Sequence, residues 1–453
     1  MESPLFTRKD LSRLIIPLVI EQFLAVAVGM ADTVMISGVG EAAVSGISLV
    51  DSLNVLLINI MSALATGGAV VSSHYLGRKK SDSACTAANQ LILTVTGLAV
   101  LLAVFALIFN GPLLRLIFGK IDSDVMSNAR IYFYLTAFSY PFLGVYNGAA
   151  AICRSMGNSK VSMKTSAVMN FINIGGNAIL IYGFHWGVAG AGTATLASRV
   201  VAALIMLRVI TDQNQLLHID AKLRLGFEPS IIREILHIGV PTGLENGIFQ
   251  LGKLLVAGLI ASFGTASIAA NAVGNTIASF EVIPGSAISL AMVTVVGQAI
   301  GAKQFAQAKQ YALKLLGVAY AAIGVLNIFI ILFSRQIIGF YSLSPEASQM
   351  AWQISMIHAV CCMLIWPSSF SLPNALRAAD DVKFTMVVSI VSMFTCRIVL
   401  SYVFGRLFGW GVVGVWLAMV TDWAVRSLFF VTRLATGKWL KYHKAEVKKI
   451  LIS

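Results

Sequence analysis

Twelve apolar stretches, each long enough to cross a bilayer, decide most of what this chain can become. They lie at 12–37, 48–72, 88–110, 129–153, 162–183, 188–210, 231–262, 268–299, 312–333, 350–376, 383–404 and 411–434. A spanning helix needs about 20 predominantly apolar residues. Within each stretch the apolar character is continuous or helical in period, not alternating, which excludes a transmembrane β-barrel. Only 12% of residues are charged and 57% are hydrophobic. A soluble protein carries about 25% charged residues, so lipid must be the solvent for most of this surface. The first stretch is too long for a cleavable leader and runs straight into a second. The expected fold is therefore an all-α polytopic membrane protein.

Basic residues orient the spans. With the N-terminus placed in the cytoplasm, 25 of the 33 Lys and Arg fall on the inner side. They include Arg78, Lys79, Lys80, Arg154, Lys303, Arg377 and the set from Arg426 to Lys449. Arg115, Lys120, Arg130, Arg335 and Arg406 fall outside, while Arg199, Lys253 and Arg397 lie within spans. Both termini are expected in the cytoplasm of a cell-membrane protein. The net charge of +13 then reads as an orientation signal with anionic lipid headgroups as partners, not as nucleic-acid binding.

The chain repeats itself. At an offset of 224, Pro17…Glu21-Gln22 matches Pro241…Glu245-Asn246, Gly40-Glu-Ala42 matches Gly264-Thr-Ala266, and Leu76-Gly77-Arg-Lys79 matches Ile300-Gly301-Ala-Lys303. At 223, Arg154 pairs with Arg377 and Lys160 with Lys383; Trp186-Gly187-Val188 then pairs with Trp410-Gly411-Val412. The duplicated unit has six spans, an even number, so both halves insert in the same direction. The halves are expected at 1–220 and 221–453, joined by the polar segment 211–230. Parallel repeats of this kind place a transport site between two lobes. No phosphate-binding Gly-rich loop is present, which leaves an ion gradient as the energy source.

Ionisable side chains at membrane depth are functional candidates by default. Asp32 and Glu21 share a face of the first span, about 16 Å apart along its axis. Asp32 has no acidic counterpart in the second half, where Val256 takes its place, so it is the sharper candidate for a proton or cation site. Glu21 recurs as Glu245, each four residues after a proline, and suits either scaffold or transport. Asn170, Asn173 and Asn177 line one face of the fifth span, and Thr195 follows in the sixth. Gln250, Lys253, Glu281 and His358 are the second half's contribution, with Lys253 and Glu281 read as a pair. Met30, Met35 and Met61 suit an adaptable cavity wall. The five cysteines, Cys85, Cys153, Cys361, Cys362 and Cys396, read as free thiols without ligand spacing to histidine. No metal or cofactor is expected beyond a coupling ion.

Together these residues resemble the multidrug and toxic compound extrusion (MATE) family. The motifs in order are Pro17 through Met30-Ala-Asp32-Thr; the loops Leu76-Gly77-Arg-Lys and Ile300-Gly301-Ala-Lys; Cys153-Arg154-Ser-Met-Gly157-Asn with Leu376-Arg377-Ala-Ala-Asp380-Asp; and Asn173 through Tyr182-Gly183 followed by Gly187-Val-Ala-Gly190. The resemblance implies twelve transmembrane helices in two pseudo-symmetric six-helix bundles. It implies export of bulky, often cationic or amphipathic organic compounds by antiport with protons or sodium ions; a monomer is the expected working unit. It puts Asp32 on the family's first-span coupling acid, with Asn173 and Thr195 beside it. Asn177 stands where the family often has Asp, which favours protons over sodium. The second-half acids of the NorM-type branch fall on Phe249 and Trp366, so the chain looks nearer the DinF-type branch. A flippase of lipid-linked precursors is the alternative within transport, and a non-transporting channel or sensor the alternative outside it. No catalytic constellation is visible.

Overall fold

The computed structural model describes residues 4–119, 121–219 and 226–443, and the described chain is helical throughout. Its α-helices are α1 (Arg8–Ser37), α2 (Glu41–Gly77), α3 (Ser81–Ile108), α4 (Asn110–Phe118), α5 (Ser123–Ser155), α6 (Ser159–Asn177), α7 (Gly187–Ile210) and α8 (Pro229–Ala261). Then follow α9 (Thr265–Glu281), α10 (Ile283–Gly301), α11 (Phe305–Gly339), α12 (Pro345–Trp366), α13 (Leu372–Arg377), α14 (Val382–Ser392), α15 (Leu400–Tyr402) and α16 (Gly411–Ala435). Lys120, Lys222, Arg224 and the basic residues beyond 443 lie outside the described residues.

Every expected span meets a helix, with two kinds of departure. The expected span 268–299 is broken at Val282, between α9 and α10. Pro284 supplies no N–H for the carbonyl four residues back, which removes one rung of the ladder. The spans at 350–376 and 383–404 are interrupted by π-helical turns at Pro367–Ser371, Met393–Val399 and Val403–Leu407. Among the described residues, ten helices are long and apolar enough to cross a membrane. Neither α5 nor α6 is among them, because polar residues lower their mean hydropathy; those polar residues are turned inward. Tyr132, Thr136, Ser139 and Tyr140 of α5 are buried, as are Ser162, Thr165, Ser166, Asn170, Asn173 and Asn177 of α6. Large apolar side chains cover the outside instead, Leu101, Phe171, Leu332, Leu364 and Leu428 among them.

The duplication is written into the backbone. Left-handed φ values recur in register: Gly40 and Gly264 (135° and 100°), Lys79 and Lys303 (57° and 61°), Gly157 and Asp380 (78° and 65°), Gly187 and Gly411 (53° and 55°). A non-glycine residue at positive φ is uncommon. Lys79 and Lys303 in the same turn therefore mean that one helix–turn–helix was copied, strain included.

By packing, the chain forms two compact units, residues 8–243 and residues from 244 onward together with 4–7. The packing division runs through α8, three residues past Pro241, whereas the division by repeat falls at the linker before it. In the first unit α2, α3 and α7 pack around α5, and α1 lies along α6. Its core holds Ile47, Val50, Leu114, Phe133 and Tyr140. The N-terminal part of α8 crosses α2 at small residues: a Cβ on Gly67 would stand 2.5 Å from the Ile235 carbonyl oxygen and 2.9 Å from the Gly239 nitrogen. In the second unit α10 packs on α11, and α12 lies among α9, α11 and α16.

Candidate functional site

The polar stripe of α6 and the acid in the C-terminal part of α1 meet inside the first unit. The Asn177 amide donates to Asp32 Oδ1 at 2.7 Å. Amide orientation is set by the hydrogen-bond network; for Asn173 the orientation that satisfies both ends has its nitrogen donating to Asp32 Oδ1 at 2.8 Å and its oxygen accepting from Thr195 Oγ1 at 3.2 Å. Two amide nitrogens thus converge on one carboxylate oxygen. Asn173 and Asn177 are buried, and Asp32 and Thr195 are partly so. The Asn177 oxygen has no protein partner. All four residues expected at the coupling site are therefore neighbours.

A second group extends this cluster. Asp51 of α2 accepts from the Asn54 amide at 3.2 Å and from the Tyr132 hydroxyl. Tyr140 donates to the Asn54 oxygen at 2.6 Å. Arg199 stands one turn beyond Thr195 on α7 and donates to Ser139 Oγ at 2.7 Å. Asp51 and Arg199 are close enough for their charges to act on Asp32. Asp51 is not legible as a candidate: it lies near the start of the second apolar run, where an acid looks like part of an interfacial flank. Its signal is the Asp51-x-x-Asn54 pair, which puts two polar groups on one face of an otherwise apolar helix.

Glu21 does not join Asp32. Ser162 Oγ donates to it at 2.8 Å, and Arg154 approaches it at 3.6 Å. Glu245 binds Arg377 at 2.7 Å and Arg426 at 3.5 Å. The Glu21–Arg154 and Glu245–Arg377 pairs occupy matching positions of the repeat. Arg426 is thus a buried partner of Glu245 rather than one of the interfacial cations counted for orientation.

Several expected placements are corrected. Met61 is fully buried, so it packs the interior instead of walling an open cavity; Met30 is exposed and Met35 partly so. Gln250 is partly buried. Lys253 and Glu281 do not pair: Lys253 is exposed, with its ammonium over the Phe249 ring at 5.3 Å, and Glu281 bonds His358. Phe249 itself is ringed by cations, with Arg397 at 4.8 Å and Arg426 at 5.9 Å from its centroid. Trp366 stacks on Phe370. The cysteines are all free, but one does stand in ligand spacing to a histidine. His358 and Cys362 are four apart on α12, and so share a face.

A family model described as MatE matches residues 17–179 and 241–403; both matches begin at the repeated proline. An uncharacterized transporter, YisQ of Bacillus subtilis, is 27% identical over 94% of this chain and 93% of its own length. A probable multidrug resistance protein NorM of Thermotoga maritima is 26% identical over 96% of this chain and 93% of its own length. Among solved structures, an outward-facing multidrug resistance MATE family transporter of the MOP superfamily superposes with a TM-score of 0.88 at 19% identity, covering 95% of this chain and 96% of that one. A MOP superfamily transporter from Pyrococcus furiosus, described as having reverse polarity of its binding pocket, gives a TM-score of 0.87 at 20% identity, with 95% and 96% covered.

Proposed function

Because this chain belongs to the MATE family, a family of multipass membrane transporters, we propose that it exports organic cations in exchange for protons entering through the Asp32 cluster. The observation that carries the reading is the convergence of the Asn173 and Asn177 amides on a single oxygen of Asp32. A sodium site needs converging oxygens, as hard cations take oxygen ligands. Here the amides present N–H to the carboxylate, so the partial positive charge that a sodium ion would meet is already in place. A proton on Oδ2 meets only the longer contact of the Asn173 nitrogen, at 3.3 Å.

Charge bookkeeping supports antiport. With both acids ionised, Asp32, Asp51 and Arg199 sum to −1. One proton or one organic cation brings the cluster to neutrality; holding both would leave +1 in a poorly solvated place. Mutual exclusion of two cations at one net charge is the thermodynamic content of exchange. The absence of carboxylates at Phe249 and Trp366 leaves the first unit to carry coupling, nearer the DinF-type than the NorM-type pattern. The termini are cytoplasmic in this reading.

The test is efflux of a fluorescent organic cation from reconstituted vesicles, with pH and sodium gradients imposed separately. A proton gradient alone should drive wild-type efflux. Asp32→Asn keeps the side chain's shape and should retain folding while losing gradient-driven efflux and its pH dependence. Sodium-driven wild-type efflux, or an Asp32→Asn variant with unchanged pH dependence, overturns the proposal.

One observation favours a second reading. Lys253, Arg397 and Arg426 surround Phe249, and Lys253 has no acidic partner among the described residues. An ammonium without an acidic partner, beside an aromatic ring, fits the anionic headgroup of an amphiphile, the chemistry of a lipid-linked precursor. Transport of an anionic amphiphile that falls in Lys253→Gln, with no efflux of organic cations, would select this reading.

A further inference from the structure

The second unit contains a cluster that coupling through Asp32 does not use. Glu281 ends α9 at the break before α10, His358 lies in mid-α12, and Cys362 follows one turn later. A carboxylate oxygen of Glu281, a ring nitrogen of His358 and the sulfur of Cys362 all lie within 4.8 Å of one another, and all three residues are buried. Glu281 Oε2 contacts His358 Nδ1. The other carboxylate oxygen, Oε1, is buried without any hydrogen-bond partner. Trp416 and Trp423 stand edge-to-face against the His358 ring, with centroids 5.5 and 5.0 Å away. Ser355, a further turn back on the same face of α12, has a buried hydroxyl that is also without a partner.

We infer that Glu281, His358 and Cys362 form a binding site for a transition-metal ion of the zinc type, closed inside the second unit. The donor set carries the choice of metal. One imidazole, one thiolate and one carboxylate are the ligand types Zn²⁺ selects, whereas magnesium and calcium take oxygens. At ordinary zinc bond lengths of about 2.0–2.3 Å, tetrahedral ligands stand roughly 3.3–3.8 Å apart. The three atoms are within about an ångström of that arrangement, and the Glu281–His358 hydrogen bond opens to admit the ion.

Charge balance carries the rest. Without metal, the cluster is neutral when it holds two protons, one on the Cys362 thiol and one shared by Glu281 and His358. A divalent ion releases both protons and leaves the sum of charges unchanged, so no net charge enters the low-dielectric interior. The ion also gives the orphaned Glu281 oxygen a use, since a carboxylate binds metal through one oxygen or both. A serine hydroxyl or a water completes four-coordination.

The consequence is mechanical. The helix is broken at Val282, between α9 and α10, and Asn327 donates its amide to the Glu281 carbonyl there at 3.4 Å. A metal at Glu281 fixes the end of α9 to the middle of α12. Zinc should therefore stiffen this unit whatever the coupling ion or substrate of the transporter.

The experiment loads the purified full-length protein with Co²⁺ alone, because a thiolate ligand gives cobalt a charge-transfer absorption that oxygen ligands do not. One Co²⁺ per chain with that absorption, displaced by Zn²⁺, is expected. The band should vanish in Cys362→Ser and persist in Cys361→Ser. Glu281→Gln should weaken cobalt binding at least as much as loss of a supporting contact does, about 10–100-fold. The wild-type melting temperature should rise with Zn²⁺ and fall back with a chelator, a readout independent of whether any variant folds. A folded wild-type protein without the thiolate band overturns the proposal, and so does a band that survives in Cys362→Ser. Neither result bears on proton coupling at Asp32.

Discussion

At the residue scale, the proposed coupling site rests on three charges: the sequence marks Asp32 as the candidate, places Arg199 within a span and leaves Asp51 unremarked. Asp32 stands out as the acid of the first apolar run that has no counterpart in the second half, and the spacing of Asn173 and Asn177 places both amides on the face that meets it. Asp51 and Arg199 complete the sum, yet their relation to Asp32 depends on how α2, α5 and α7 pack, which no local pattern records. That sum makes a prediction. Asp51→Asn leaves Asp32 and Arg199 as a neutral pair, so the cluster no longer needs an extra cation. Proton-driven efflux should fall by about tenfold or more, one decade being about 1.4 kcal/mol, although Asp32 and both of its amide donors are intact. Efflux at the wild-type rate in Asp51→Asn vesicles would show that Asp51 only braces α2 against Tyr132 of α5.

At the element scale, apolar run length locates spans well because lipid demands a satisfied backbone and an apolar exterior along the whole helix. It says less about α5 and α6, whose polar faces are paid back by neighbours in the bundle. It says nothing of the break at Val282 or of the π-helical turns, since these are decided by a proline's missing N–H and by packing. Close helix crossings are similarly hidden. Nothing in the sequence separates Gly67 from its neighbour Gly68, yet Gly67 lies against the backbone of α8, which cannot move as a side-chain tip can. Gly68 faces only the Leu91 side chain. Gly67→Ala should therefore lower the melting temperature of the detergent-solubilised protein more than the gain in helix propensity of about 1 kcal/mol can offset. An equal or higher melting temperature would mean that α2 and α8 cross farther apart than this geometry requires.

At the scale of the whole molecule, the duplication was legible because repeated turns need repeated residue types, and Glu21 with Arg154 and Glu245 with Arg377 show what the copied acids and bases do. Each pair ties the helix that opens a repeat to the end of its fourth span. The halves differ at the matched position: the first has Asp32, and the second has Val256, with aromatic residues and cations around Phe249. In the proposed function, cation choice lies with Asn177. Asn177 meets Asp32 with an N–H, which suits a carboxylate that carries protons. Asn177→Asp replaces that donor with two oxygens and takes the cluster from −1 to −2 when ionised. Two facing carboxylates repel unless a cation lies between them, and sodium accepts oxygen ligands from both. The variant should therefore gain efflux driven by a sodium gradient at constant pH, with its proton-driven efflux diminished. The measurement is dye efflux from vesicles at one pH with sodium varied across the membrane, wild type against Asn177→Asp. If sodium remains without effect in the variant, the orientation of the Asn177 amide is not what excludes it, and the cation must be chosen by Asp51 and Arg199 instead.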